Sequence, residues 1–321
     1  MSFLESVLTQ GGIFAIVCVG LYLTLASGQF SVAHAALMGL GSYAAGVVAV
    51  EFGWGFWPAI FAGLLVGGVV GFLISLAVSR LGDVLLGIAT LAIGQAISLF
   101  VANIKYLGGS VGYVGVPLRT DLTSVALVLG ISLALYWYFK NTRFGLAWLA
   151  VGKDETTAKA FGVSVLNVRF LGFAIGGMLA GAGGALMVQF VGLVQPQSLS
   201  FQAEIPLYVY VIIGGVTTPW GGVFGAVGLT WAMQALQFSP LDSYWLLGLL
   251  LIIALIFRKE GIFIRLPLMT NVVAVLRGKF GDGRHSNSID GLEDDSAGKL
   301  PRKTSTTSEQ EPDVISRDGV Q

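Results

Sequence analysis

Apolar residues run along this chain in blocks of roughly membrane length, divided by short polar stretches, and the blocks predict helices rather than strands. Spans are predicted over Ile13–Ala26, Val32–Val50, Phe56–Val78, Val84–Asn103, Leu122–Phe139, Val168–Val191 and Tyr244–Phe257. Phe56–Val78 carries Gly63, Gly67 and Gly71 at four-residue intervals, a stripe suited to close contact with a neighbouring helix. Gly172 and Gly176 lie one turn apart in Val168–Val191, as do Gly177 and Gly181. Ile205–Leu236 is too long and too interrupted for one helix. Its centre, GGVTTPWGG, predicts two short helices around a turn, or a re-entrant hairpin. Broken backbone at that depth is tolerated only inside protein or beside a water-filled cavity. The expected fold is an all-α polytopic transmembrane helical bundle of about 8–10 membrane segments, one of them broken or re-entrant.

The polar stretches divide the blocks. A notch at Ser27, Gly28, Gln29 and Ser31 follows the first span, and Arg80 with Asp83 marks a short turn. Lys105–Asp121, rich in glycine, reads as a loop, and Gln195–Glu204 is polar. The most informative stretch is Arg143–Leu166, RFGLAWLAVGKDETTAKAFGVSVL. Its charge keeps it out of hydrocarbon, so it forms a solvent-side loop or a short surface helix. Lys153, Asp154, Glu155 and Lys159 cluster there, with Ala158, Phe161 and Gly162 following at helical spacing. Asp154 and Glu155 suit a helix N-terminus, and Gly162 suits its end. Two readings compete: a plain connection, or a docking helix through which another protein moves the membrane domain. Residues 267–321, poor in large apolar side chains, read as a disordered tail on a membrane domain spanning 1–266.

Composition supports the membrane assignment. The 321 residues are 55% hydrophobic and only 11% charged, with mean hydropathy +0.81 and 45 glycines; an ordinary globular chain carries about 25% charged residues. Net charge is zero and no basic patch forms, so nucleic acid is excluded as a partner. Cys18, the single cysteine, cannot form an internal disulfide. The start MSFLESVLTQ lacks the basic region of a cleaved signal, so the first apolar run is expected to be retained. Lys140, Arg143, Lys153, Lys159 and Arg169 flank the charged stretch, and Arg258, Lys259 and Arg265 flank the tail. Both are therefore expected on the cytoplasmic side, with Lys105 and Arg119 on the opposite loop.

No catalytic constellation emerges. The two histidines are His34 and His285, and zinc, nucleophile-elbow and phosphate-loop motifs are missing. The sequence therefore implies no cofactor and no ATP bound by such a loop; any energy for pumping comes from elsewhere. Few ionisable residues lie inside the spans, which argues against a proton-driven carrier. His34 reads first as a helix-packing residue and Gln95 as an interhelical hydrogen bond. Trp54, Trp57, Trp220 and Trp245 read as interfacial anchors, and Glu204 as solvent-exposed.

Ser31-Val32-Ala33-His34-Ala35-Ala36 followed by Gly39-Leu40-Gly41-Ser42-Tyr43 resembles a stretch of branched-chain amino acid ABC importer permeases of the LivM/LivH type. Thr90-Leu91-Ala92, the Gly108–Pro117 loop, Arg143-Phe144-Gly145 and Asp154-Glu155…Ala158…Gly162-Val163 are also similar. So are Ile213-Gly214-Gly215…Trp220-Gly221-Gly222…Gly225-Ala226 and Leu255-Ile256-Phe257-Arg258, in an order that fits the LivM branch from about Gly28 to Gly261. The resemblance implies a permease in membrane lipid, paired with a second permease subunit as a hetero- or homodimer. Two cytoplasmic ABC ATPase subunits and an extracytoplasmic solute-binding protein delivering leucine, isoleucine or valine would complete the importer. It implies a coupling segment seated on the ATPase through Lys153, Asp154, Glu155, Ala158, Phe161, Gly162 and Val163. The expected translocation path involves Gln29, His34, Tyr43, Gln95, Gly214, Gly215 and Trp220. Departures from the pattern are Gln95 where many relatives have glutamate, Trp148 for a basic residue, and Thr156 and Thr157 for smaller or aliphatic ones. An importer of urea or short amides, a stand-alone solute channel and a membrane scaffold are the alternative readings.

Overall fold

The computed structural model describes residues 2–235 together with Gly248, Leu249 and Ile252. The long helices are α1 (Phe3–Ala26), α2 (His34–Val50), α3 (Phe56–Val78), α4 (Asp83–Asn103) and α5 (Leu122–Lys140). After α6 (Arg143–Lys153) and α7 (Glu155–Ala160) come α8 (Val165–Val191), α9 (Phe201–Gly214) and α10 (Pro219–Ala235). Five of them are long and apolar enough to cross a membrane, or six if the bent pair α9–α10 is one span. This count is of the described residues, and α2 is a further apolar helix of 17 residues; the polytopic helical membrane fold with one bent pair is as expected. The predicted span Tyr244–Phe257 and the tail, with Trp245, Arg258, Lys259, Arg265 and His285, lie outside the described residues.

The first helix begins ten residues earlier than hydropathy alone predicts. Ser2 and Glu5 form a reciprocal cap, the Glu5 carboxylate accepting the Ser2 N–H at 2.8 Å and the Ser2 hydroxyl accepting the Glu5 N–H at 3.3 Å. Asp121 and Ser124 cap α5 in the same manner.

The core forms around α8, whose glycines let three helices approach at backbone distance. α3 makes the most extensive contact with it, followed by α2, and α1 packs on it as well. Gly67 of α3 lies against the backbone of Gly177 and Gly181, and Gly41 of α2 meets Gly181. Gly20 of α1 meets the Gly176 carbonyl, so the predicted stripes serve the close packing expected of them. Ile16, Leu37, Phe173 and Leu186 fill the remaining volume.

The broken segment is two helices bent by 116°, with Gly215 at φ +118° in the break. Gly214 and Gly221 touch backbone to backbone there. In the glycine-rich loop, β1 (Tyr113–Val114) pairs antiparallel with β2 (Leu193–Val194), a pairing the sequence does not announce. The bundle thus has two ends. The α1 N-terminal half, the start of α5 and the β pair lie toward one end, where Gly12 meets Val125; α6 lies toward the other, where Gly152 meets Ala26.

Candidate functional site

The charged stretch folds as two helices that share a capping residue. Thr142 caps α6, its hydroxyl accepting the Gly145 N–H at 3.2 Å. Trp148 fixes α6 to the bundle: it is buried, and its Nε1–H donates to the Leu23 carbonyl near the C-terminus of α1 at 3.0 Å. That carbonyl belongs to a helix's last turn, where it needs a donor from outside the helix. Asp154 ends α6 and starts α7. Its carboxylate accepts the N–H groups of Thr156 at 2.9 Å and Thr157 at 3.2 Å, and the Thr157 hydroxyl. The hydroxyl first, then the N–H groups, hold that carboxyl below the usual carboxylate range.

α7 stops where the sequence places its end. Gly162 adopts φ +77°, its N–H donates to the Lys159 carbonyl at 2.9 Å, and the Val163 N–H donates to the Ala158 carbonyl at 3.1 Å. This pair of bonds is a Schellman cap. Ala158 is turned inward, Val163 is half-buried, and Lys153, Asp154, Lys159 and Gly162 are exposed. Phe161 is 83% exposed, a large apolar side chain held out on a stiff turn.

Glu155 ties this surface turn to the bundle. It pairs with Lys159 at 2.7 Å and with Arg169 of α8 at 3.1 Å. The Lys159 bond first, then the charges of Arg169 and Lys159, keep its carboxyl below the usual range. Arg169 is itself buried and donates through Nη1 to the Ser79 carbonyl at the end of α3, 2.9 Å away. The Gln29 amide donates to the Arg169 carbonyl at 2.8 Å and to Ser27 Oγ at 3.0 Å. Gln29 Oε1 accepts from Ser79 Oγ at 3.2 Å, and Ser79 lies 2.6 Å from Ser75 Oγ. One polar chain therefore runs from α7 through α8 to the end of α3 and the α1–α2 connection.

That connection, residues 27–33, is non-helical and is paired by side chains from elsewhere. Thr90 of α4 accepts the Val32 N–H at 2.9 Å, and the Tyr208 hydroxyl of α9 donates to the Ser31 carbonyl at 2.5 Å. Glu204 of α9 accepts the Ala35 N–H in the first turn of α2, which has no side-chain cap of its own. The expectation that Glu204 faces solvent is wrong: it is 1% exposed, because this buried helix start needs an acceptor.

The expected path residues do not converge on one cavity. Gln29 is committed to the polar chain, and His34 is buried, with Nε2 3.1 Å from Thr24 Oγ1 and its ring beside Phe173. Gln95 reaches across from α4 to accept the N–H of Phe201, the first residue of α9, at 3.2 Å. Tyr43 borders a shallow apolar recess with Leu40 and Leu107. Gly214, Gly215 and Trp220 stand at the α9–α10 break, where Trp220 stacks on Phe224. Trp54 and Trp57 are exposed, as anchors would be. Among the described residues no cluster suited to a metal ion occurs.

A family profile described as "Branched-chain amino acid transport system / permease component" matches residues 3–255. The chain belongs to this family. Similar permeases include the high-affinity branched-chain amino acid transport system permease protein LivM of Salmonella typhimurium, 25% identical over 79% of this chain and 68% of that protein. LivM of Escherichia coli is likewise 25% identical, over 78% of this chain and 67% of its own length. The L-arabinose transport system permease AraH of Escherichia coli is 25% identical over 76% of this chain and 78% of its own. An autoinducer 2 import system permease, LsrC of Yersinia pseudotuberculosis, is 24% identical over 78% of this chain. No solved structure matches the chain.

As a branched-chain amino acid permease family member, the chain is a non-enzymatic transport subunit and a multi-pass membrane protein. Sequence reasoning found the surface turn but missed what it holds. Arg169 was visible as a lone cation among apolar residues, VLNVRFLGFA, a position that itself signals a buried partner. Ser75 and Ser79 carried no local signal, and Thr90 was marked only as part of the Thr90-Leu91-Ala92 resemblance.

Proposed function

We propose that this chain is the membrane-spanning subunit of an ABC-type importer that moves branched-chain amino acids by alternating access. α7 and its flanks dock on a cytoplasmic ATPase subunit. The importer would hold a second permease subunit, two ATPase subunits and an extracytoplasmic solute-binding protein. The supporting observation is the combination of an exposed Phe161 on a capped turn with Glu155 tied through Arg169 to α3 and to the connection before α2. A push on that turn is delivered to three helices rather than lost in a loose loop. Lys153, Asp154 and Lys159 supply the polar rim around the Phe161 anchor, an arrangement typical of an interface centre. A ligand shifts such an equilibrium only through different contacts in its two states, so ATPase closure must change how α7 is held. The cytoplasmic placement of α7 follows from the excess of Lys and Arg around it.

The test replaces Gly162 with Val and Phe161 with Ala in the complete importer. Val at φ +77° costs about 1–2 kcal/mol and displaces the turn. ATP-driven leucine uptake is expected to fall severalfold in both variants, while membrane insertion is kept. Unchanged uptake in both would refute the docking role. Because permeases named for arabinose and autoinducer 2 are as similar as LivM at this level, other small solutes are the second reading, urea and short amides included. Competition of labelled leucine uptake by each solute separates them.

A further inference from the structure

We infer that the slot between α1, α5, α6 and α8 seats a glycerophospholipid with an anionic headgroup, its acyl chain along α5 and its phosphate at Lys140. On α5 the slot is bordered from Ser132 to Lys140, so it follows that helix for about 12 Å. Tyr22 of α1, Trp148 of α6 and Leu179 of α8 close its other sides. Leu135, also on its border, is 48% exposed, so the slot opens sideways onto whatever surrounds the bundle. It holds about 60 Å³, well short of the roughly 300 Å³ of the smallest small-molecule sites. Part of one hydrocarbon chain fits, and the rest of the lipid stays on the surface.

The polar side chains within the slot already have partners. Ser132 Oγ donates to the Val128 carbonyl at 2.8 Å, and Trp148 Nε1–H to the Leu23 carbonyl at 3.0 Å. The Tyr22 hydroxyl donates to the Thr217 carbonyl at 3.3 Å and lies 3.5 Å from the Tyr136 hydroxyl. A polar solute would shed its hydration there and find no free group in return, whereas hydrocarbon gives up nothing. At the mouth the chemistry reverses. Lys140 is exposed, and so is Arg143 across a two-residue turn. Among the described residues neither cation makes an ion pair. Trp137 and Tyr138, 63% and 64% exposed, come just before them on α5, and such aromatic residues settle at the level of lipid headgroups. The two cations are thereby level with lipid phosphate, and the slot lies at acyl-chain depth. Basic recesses between membrane helices of this kind collect anionic headgroups. Because α6 leads straight into α7, an acyl chain seated here props the helix that carries the surface turn.

The test uses the complete chain in phosphatidylcholine vesicles doped with a lipid that carries a photoreactive group on one acyl chain. The doped lipid is phosphatidylglycerol or phosphatidylcholine at the same low mole fraction. Crosslinks to residues 132–149 are compared with crosslinks to the outer face of α3, where Phe61 and Leu73 are exposed. Phosphatidylglycerol is expected to label the slot at least about fivefold more than phosphatidylcholine, with no preference on α3. Lys140→Gln lowers that preference about fivefold, and Lys140→Arg keeps it. Leu149→Trp, which fills the slot and leaves both cations, lowers slot labelling by either lipid severalfold. Equal labelling of the slot by the two lipids overturns the headgroup assignment, and labelling no denser on the slot than on α3 overturns the site. Displacement of the phosphatidylglycerol crosslink by inorganic phosphate at constant ionic strength would make the mouth a site for free anion and refute the lipid. Labelling is expected to persist in the protein purified together with its partner subunits. Its loss there would give the slot to a partner's helix and overturn the lipid as occupant.

Discussion

Gly63→Ala tests whether backbone contact around α8 holds the bundle together. A methyl group there would sit 2.8 Å from Ala185 Cβ, 2.8 Å from the Gly181 carbonyl oxygen and 2.9 Å from the Gly41 carbonyl oxygen. Ordinary contact begins near 3.4 Å, so α8 and α2 would both have to retreat by several tenths of an ångström. Neither can do so cheaply, since each is itself in backbone contact with the other at Gly41 and Gly181. Overpacking of this kind costs about 1–3 kcal/mol. Alanine returns about 1 kcal/mol of helix propensity, leaving a net loss of up to about 2 kcal/mol. Gly130 of α5 supplies the matched control: an added Cβ meets nothing within 4 Å, so Gly130→Ala keeps only the propensity gain. Thermal unfolding of the purified protein in one detergent should place Gly63→Ala below the parent and Gly130→Ala at or above it. Two variants melting together would show that close packing at α8 does not set stability.

Further outcomes follow from the same contacts. Glu204→Ala leaves the buried Ala35 N–H without an acceptor and should cost about 1–3 kcal/mol; Glu204→Gln keeps an acceptor and should lose less, both read by the same melting assay. Asp154 carries a folded-state pKa below its unfolded value. Its contribution to the α7 cap is therefore complete above the ordinary carboxylate range, about pH 4, and lost as pH falls through the lowered value. Protection of the Thr156 and Thr157 amides, taken relative to the intrinsic exchange rate at each pH, should fall over that window, and Asp154→Asn should remove this pH-dependent change in protection.

Hydropathy and glycine spacing made much of the architecture legible, because span length and four-residue periodicity are local properties. Phe56–Val78 matches α3 residue for residue, and its stripe faces α8 as expected. Asp154 and Gly162 were readable as the two ends of α7 because capping chemistry is local as well. The unread parts depend on distant partners. Glu204 looks like a surface acid until α2 is seen to begin beside it, and Thr90 matters only because Val32, 58 positions earlier, presents an N–H to it. Gln29 read only as part of a polar notch, and it joins the chain behind α7 through the distant Arg169 carbonyl; His34 packs against Thr24 and Phe173, in line with its reading as a helix-packing residue.

Residues 27–33 have one more consequence. The polar groups borrowed by this stretch include three from different helices: a hydroxyl on α4, a phenol on α9 and a carbonyl on α8 that holds Gln29, with the Ser79 hydroxyl at the end of α3 donating to Gln29 as well. In hydrocarbon an amide deprived of its partner costs several kcal/mol, so none of the three lenders can slide alone. They are obliged to travel as a set, or to trade partners in one concerted step. Seven residues without helical structure thereby bind separate helices to one another through borrowed polar partners.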